Sequence, residues 1–155
     1  MQYLSANLGW KASSQLSFEL SGFYTTSNLD RPASDSEADV ELNLPNVADS
    51  GARFTGRFER WIGDAKITLD GSVGYIGTSY LGVGAPFDIS QGDYFDTAVG
   101  ARAEFRRWGV SLDIDNLLDS RANRFSYGNP FSVADGNQRT PLRPRTVRIG
   151  IDARF

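Results

Sequence analysis

The chain has 155 residues and contains neither cysteine nor histidine. Without cysteine there is no disulfide framework, and without either residue the usual zinc and copper sites lose their main ligands. The same absences remove the commonest general base and the most nucleophilic side chain, so the chain is not expected to be an enzyme. No cofactor and no metal is expected either. No stretch approaches the roughly 18 consecutive apolar residues of a transmembrane helix. That leaves the strand route across a membrane open, because a barrel strand alternates its apolar residues and shows no long hydrophobic run. Charge of one sign is scarce as well. With 16 basic and 19 acidic residues the net charge is −3, the arginines are dispersed, and nucleic acid is not expected as a partner. The first fifteen residues hold no basic segment followed by an apolar one, so no signal peptide is read there. Met1 is expected to be an internal methionine or a false start.

What the chain does have is glycine, aromatic residues and alternation. Val147, Ile149, Ile151, Ala153 and Phe155 fall on one face, opposed by Arg148, Gly150, Asp152 and Arg154. Val110, Leu112 and Ile114 oppose Ser111, Asp113 and Asp115, and Phe95, Val99, Ala101, Ala103 and Phe105 oppose Asp96, Arg102 and Glu104. The pattern repeats through Ile67–Tyr75, Arg53–Glu59, Leu16–Tyr24 and Leu4–Lys11. A period of two is the strand period, so seven strands and no amphipathic helix are expected. Several extend past the 5–6 residues common in globular proteins, towards the roughly 9–11 of a membrane-spanning strand.

The connections alternate in length. Short turns are expected near Ser13–Ser14, Gly63–Asp64 and Trp108–Gly109, and long polar loops over Asn28–Ser50, Leu81–Asp93 and Arg121–Arg143. Outer-membrane barrels place short turns at the periplasm and long loops outside the cell. Trp10, Trp61 and Trp108 lie beside the short turns, with Tyr24 and Tyr75 towards the long loops. Two such belts suit rings that settle at membrane interfaces. Trp61 has the parity of the polar face, so it needs a bulge to point outwards. On the apolar face Arg60 is the one charge, and a cation facing lipid at mid-depth would cost about 2–4 kcal/mol. The expected fold is therefore all-β: an antiparallel up-and-down meander of about seven long strands, an open segment of a transmembrane β-barrel. A complete small outer-membrane barrel is one alternative, lacking a visible eighth strand. A soluble β-barrel binding an apolar ligand is another, with Leu69, Val73, Ile149 and Ile151 turned into a closed interior.

Asn116-Leu117-Leu118-Asp119 closes the penultimate strand, and a long polar loop then leads to Pro144-Arg145 ahead of the last alternating run, which stops at Phe155. This arrangement resembles the C-terminus of TonB-dependent outer-membrane receptors. The alternating residues Val147, Ile149, Ile151, Ala153 and Phe155 also resemble the signal read by the barrel-assembly machinery. The resemblance implies a C-terminal fragment of a barrel domain over residues 1–155, with the plug and the N-terminal strands absent. It implies a place in the outer membrane of a Gram-negative bacterium, among its lipid and lipopolysaccharide, with TonB acting only through the missing plug. The activity implied is import of a scarce ligand such as a siderophore or carbohydrate, to which this chain would give wall and extracellular loops.

Two loops hold candidate ligand contacts. Arg121, Arg124, Arg139 and Arg143, interleaved with Phe125, Tyr127 and Phe131, suit an anionic ligand or lipopolysaccharide phosphate, since guanidinium forks match such groups. A polar loop packed by a small aromatic cluster is the other reading, and the favoured one. Asp30, Asp35, Glu37, Asp39, Glu41 and Asp49 suit a cationic ligand or a solvated loop. Asp113 and Asp115 share a strand face but have no nucleophile or cleft beside them, and Gly82-Val83-Gly84 lacks the helix of a phosphate cradle.

Overall fold

Alternation at period two, with β-branched and aromatic residues on one face, favours extended backbone throughout. The computed structural model of the chain describes residues 2–26, 44–82, 89–127 and 138–154, and contains no helix among them. The strands are β1 (Gln2–Lys11), β2 (Leu16–Thr26), β3 (Ser50–Ile62), β4 (Ala65–Ile76), β5 (Ser79–Tyr80), β6 (Ser90–Gln91), β7 (Tyr94–Glu104), β8 (Trp108–Asp115), β9 (Asn123–Tyr127), β10 (Gln138–Pro141) and β11 (Thr146–Ala153). Seven of them form one antiparallel meander in the order β1-β2-β3-β4-β7-β8-β11, with β1 and β11 at its open edges. β5 with β6, and β9 with β10, make two small pairs inside the long connections, which the alternation does not announce. The longest strand, β3, has 13 residues, about 43 Å at ~3.3 Å per residue.

The short turns are built from local hydrogen bonding. Ser13 Oγ accepts from the N–H groups of Gln15 and Leu16, both at 3.1 Å, closing the β1–β2 connection. Gly63 has φ +58°, the sign a II′ hairpin requires at its first central position, and joins β3 to β4 through two residues. The third turn is Arg106–Arg107, upstream of the Trp108–Gly109 expected from the sequence. There the Phe105 N–H donates to the Trp108 carbonyl at 2.8 Å, so Trp108 opens β8. Gly109 serves a different purpose. A Cβ on it would meet Arg102 Nη2 at 2.9 Å and Asp152 Oδ1 at 3.0 Å, because those side chains join over it.

Ala65 is the sole buried hydrophobic residue among those described, at 8% exposure. The sheet therefore has no apolar core of its own. Its buried side chains are mostly polar (Thr25, Ser79, Gln91, Thr97 and Asn116) and gather at the long-loop end. There the loop bases bond to one another. Thr25 N–H donates to Asp49 O at 2.7 Å, Asp49 N–H to Thr78 O at 3.0 Å, and Gln91 Nε2 to Asn46 Oδ1 at 2.6 Å. Gly92, at φ +89°, packs directly on the Gly77 carbonyl, where no Cβ fits.

Candidate functional site

Register turns the alternation of each strand into two faces of one sheet. Leu8 pairs with Leu20, Leu20 with Phe54, Phe54 with Val73 and Val73 with Thr97. A second row runs Leu16, Phe58, Leu69, Ala101, Leu112 and Ile149. Among the described strand residues, Arg60, near the short-turn end, is the only charged residue on this face. Thr97 is the only hydroxyl well inside it. Thr97 is 6% exposed, and its Oγ1 accepts the Leu118 N–H at 3.2 Å. The large side chains of this face are open: Leu69 is 46% exposed, Ile149 77% and Ile151 78%. Leu69, Val73, Ile149 and Ile151 thus do not line a closed interior.

The opposite face carries the charges, and they pair across strands. Arg102 Nη2 lies 2.7 Å from Asp152 Oδ1, reaching over β8 at Gly109. Arg154 meets Glu104 at 2.7 Å, Arg148 meets Asp115 at 2.9 Å, and Lys66 meets Glu59 at 3.2 Å. These side chains are partly exposed, so each pair is screened by solvent, adds little stability and leaves the face wettable. Asp113 sits in this charged lattice opposite Arg148.

The tryptophans and tyrosines of the apolar face fall at two heights, with Phe54 and Phe58 between them. Trp10 pairs with Phe18 near the first short turn, their rings 5.6 Å apart, and Trp108 stacks on Phe105 at 4.0 Å beside the third. At the other end stand Tyr24 and the Tyr75–Phe95 pair, with ring centroids 5.2 Å apart. From Phe105, level with Trp108, to Phe95 the chain spans ten residues, about 33 Å along the strand at ~3.3 Å per residue. Trp61 stands apart. β3 pairs with β4 without a register shift, so Trp61 faces Lys66 on the charged side while Ile62 takes the rim position on the apolar side.

Val147, Ile149, Ile151 and Ala153 all lie on the apolar face of β11, opposite Ile114, Leu112, Val110 and Trp108. Phe155 lies outside the described residues, as do the acidic stretch from Asp30 to Glu41, Val83, Gly84 and Phe131. Arg121 is described and is 90% exposed at its side chain, 3.7 Å from Asp119. The side chains of Arg124, Phe125, Tyr127 and Arg139 lie outside the description. Arg139 takes part through its backbone, pairing with Ser126 in the β9–β10 ladder. Arg143 contributes its carbonyl rather than its guanidinium.

That carbonyl belongs to a junction that the residue pattern alone does not disclose. Asn116 is 6% exposed and has φ +50°, a conformation Asn tolerates better than most residues. Its Nδ2 donates to Ser120 O at 3.0 Å and to Arg143 O at 2.8 Å, and its Oδ1 accepts from Ser120 N–H at 2.8 Å. Asp119 Oδ1 accepts the Arg145 N–H at 3.2 Å, and Leu117 N–H donates to Thr97 O at 3.2 Å. One four-residue segment thus ties the exit of β8 to β7 and to the start of β11. Leu118 remains 61% exposed and adds to the apolar face. No family model, curated protein or solved structure matches the chain.

Proposed function

We propose that this sheet is a stretch of outer-membrane barrel wall from a TonB-dependent transporter, with its apolar face in lipid and its charged face lining the lumen. The observation that carries this is the apolar face itself: rows of large, exposed hydrophobic side chains with Arg60 as the lone charge, on a sheet that buries one hydrophobic residue. In water such a face would be a large aggregation-prone patch, whereas in hydrocarbon it is the solvated surface. The Asn116–Asp119 junction and Pro144-Arg145 support the transporter type, since the resemblance rests on those residues. The long loops would face the outside and join capture of a scarce ligand such as a siderophore or carbohydrate. A soluble barrel holding an apolar ligand would need the same side chains gathered inside, and their exposure stands against it.

Because the chain has no cysteine, single introduced cysteines can be spin-labelled uniquely. Labels at residues 69, 70, 72 and 73 of membrane-bound protein should alternate. Positions 69 and 73 should relax with oxygen dissolved in lipid, and positions 70 and 72 with an aqueous nickel complex. Uniform response to the nickel complex at all four would refute the reading.

A further inference from the structure

The short-turn end of the apolar face carries positive charge that nothing in the sheet answers. Arg106 and Arg107 form the turn between β7 and β8, and both are exposed. Arg60, also exposed, stands on the apolar face in the row of Ile67 and Ala103. That is two strands from β7, roughly 10 Å at ~4.8 Å per strand, so its long side chain and the turn border the same patch. Among the described residues no ion pair engages any of the three. The carboxylates of Glu59, Glu104 and Asp152 at this end are held by Lys66, Arg154 and Arg102, which leaves only Asp64 against three guanidinium groups. Between those cations an apolar groove of about 360 Å³ opens over β7. Its walls are Ile67 on β4 with Val110 and Leu112 on β8, standing above Ala101 and Ala103. Two residues past Ala103, Phe105 stacks on Trp108 at the mouth.

We infer that this corner holds an anionic phospholipid, its phosphate on Arg106, Arg107 and Arg60 and an acyl chain laid in the groove over β7. A guanidinium fork donates two parallel N–H bonds to phosphate oxygens, and more strongly where water is scarce. The surplus of positive charge selects a headgroup with net negative charge, because the ammonium of a zwitterionic lipid would meet three cations and one carboxylate. The Phe105–Trp108 pair lies where such a lipid passes from polar to apolar, the level at which amphipathic rings settle. This site rests on the wall reading, which puts the face in lipid, and it names the lipid that the face prefers.

The test uses the full chain in phosphatidylcholine vesicles that carry a trace of chain-spin-labelled phosphatidylglycerol or, separately, chain-spin-labelled phosphatidylcholine. Electron spin resonance reads the motionally restricted fraction of each label. Phosphatidylglycerol should associate at least about fivefold more strongly, the worth of one basic residue at an anionic surface. The preference should disappear when Arg106→Gln and Arg107→Gln are combined, an exposed turn pair whose loss leaves the ladder intact. Ala103→Phe, which fills the groove and keeps the arginines, should weaken it, while Arg121→Gln at the long-loop end should leave it unchanged. Equal restriction of the two lipids overturns the site alone, as does a preference that survives the double substitution or is lost equally in Arg121→Gln. No restricted fraction with either lipid overturns the wall reading and the site with it.

Discussion

Leu69→Arg places a guanidinium on the apolar face between Phe58 and Ala101, four residues along β4 from Ala65. Four residues at ~3.3 Å, tilted by about 40°, put it roughly 10 Å from the short-turn rim. That is close to the middle of a band about 25 Å tall, where an arginine costs about 2–4 kcal/mol. At 1.4 kcal/mol per decade, the folded population should fall about 30- to 700-fold relative to unfolded. With an m-value of about 2 kcal/mol/M, the urea midpoint of vesicle-inserted protein should drop by about 1–2 M. Fluorescence of Trp10 and Trp108, which sit on the same face, follows the transition. Thr68→Arg is the matched control. Its neighbours across the ladder are Glu59 and Arg102 on the charged face, so its midpoint should move by less than about 0.3 M. Equal midpoints for the two variants would refute the assignment of faces.

Two further outcomes follow from the edges and the junction. β1 and β11 each leave a row of unpaired backbone groups, and at several kcal/mol per group in lipid the penalty is on the order of tens of kcal/mol. The chain by itself should therefore associate through those edges in detergent and in vesicles rather than run as a folded, heat-modifiable monomer, and a monomer band of that kind in detergent gels would contradict the assignment. Asn116→Ala removes three hydrogen bonds at a buried position and leaves the Arg143 carbonyl without its amide partner, a loss of about 2–4 kcal/mol. Amide exchange at residues 145–148 should speed up markedly while β2 and β3 stay protected, and unchanged exchange there would show that the junction does not hold β11.

The seven-stranded meander was legible because its information is local: one residue in two is apolar, and the count does not depend on what pairs with what. Where distant groups decide the structure, the pattern misleads. Gly109 reads as a turn residue, yet it lies inside β8, kept small by Arg102 and Asp152 joining above it from β7 and β11. β9 and β10 pair through their backbones and through Asn123, whose Oδ1 accepts the Thr140 N–H at 3.1 Å, and such pairing leaves no trace in side-chain alternation. Asn116 stood out as part of a family-like motif, but its work is done on a carbonyl 27 residues away. Tyr3 and Phe23 have the wrong parity for the apolar face yet stack on each other, and a parity exception has meaning only once its neighbours across the sheet are known.

The two edge strands of the sheet run in the same direction. Gln2 pairs with Thr26 at the long-loop end, and Thr146 pairs with Asp115 at that same end, so β1 and β11 both descend towards the short turns. Bent round to meet each other, they would form a parallel seam. Two copies set side by side in the same orientation would meet with the same mismatch. A cylinder of purely antiparallel neighbours therefore requires an odd number of additional strands between β11 and β1. An antiparallel cylinder built on this sheet thus takes an even total of strands, the seven described here plus an odd number.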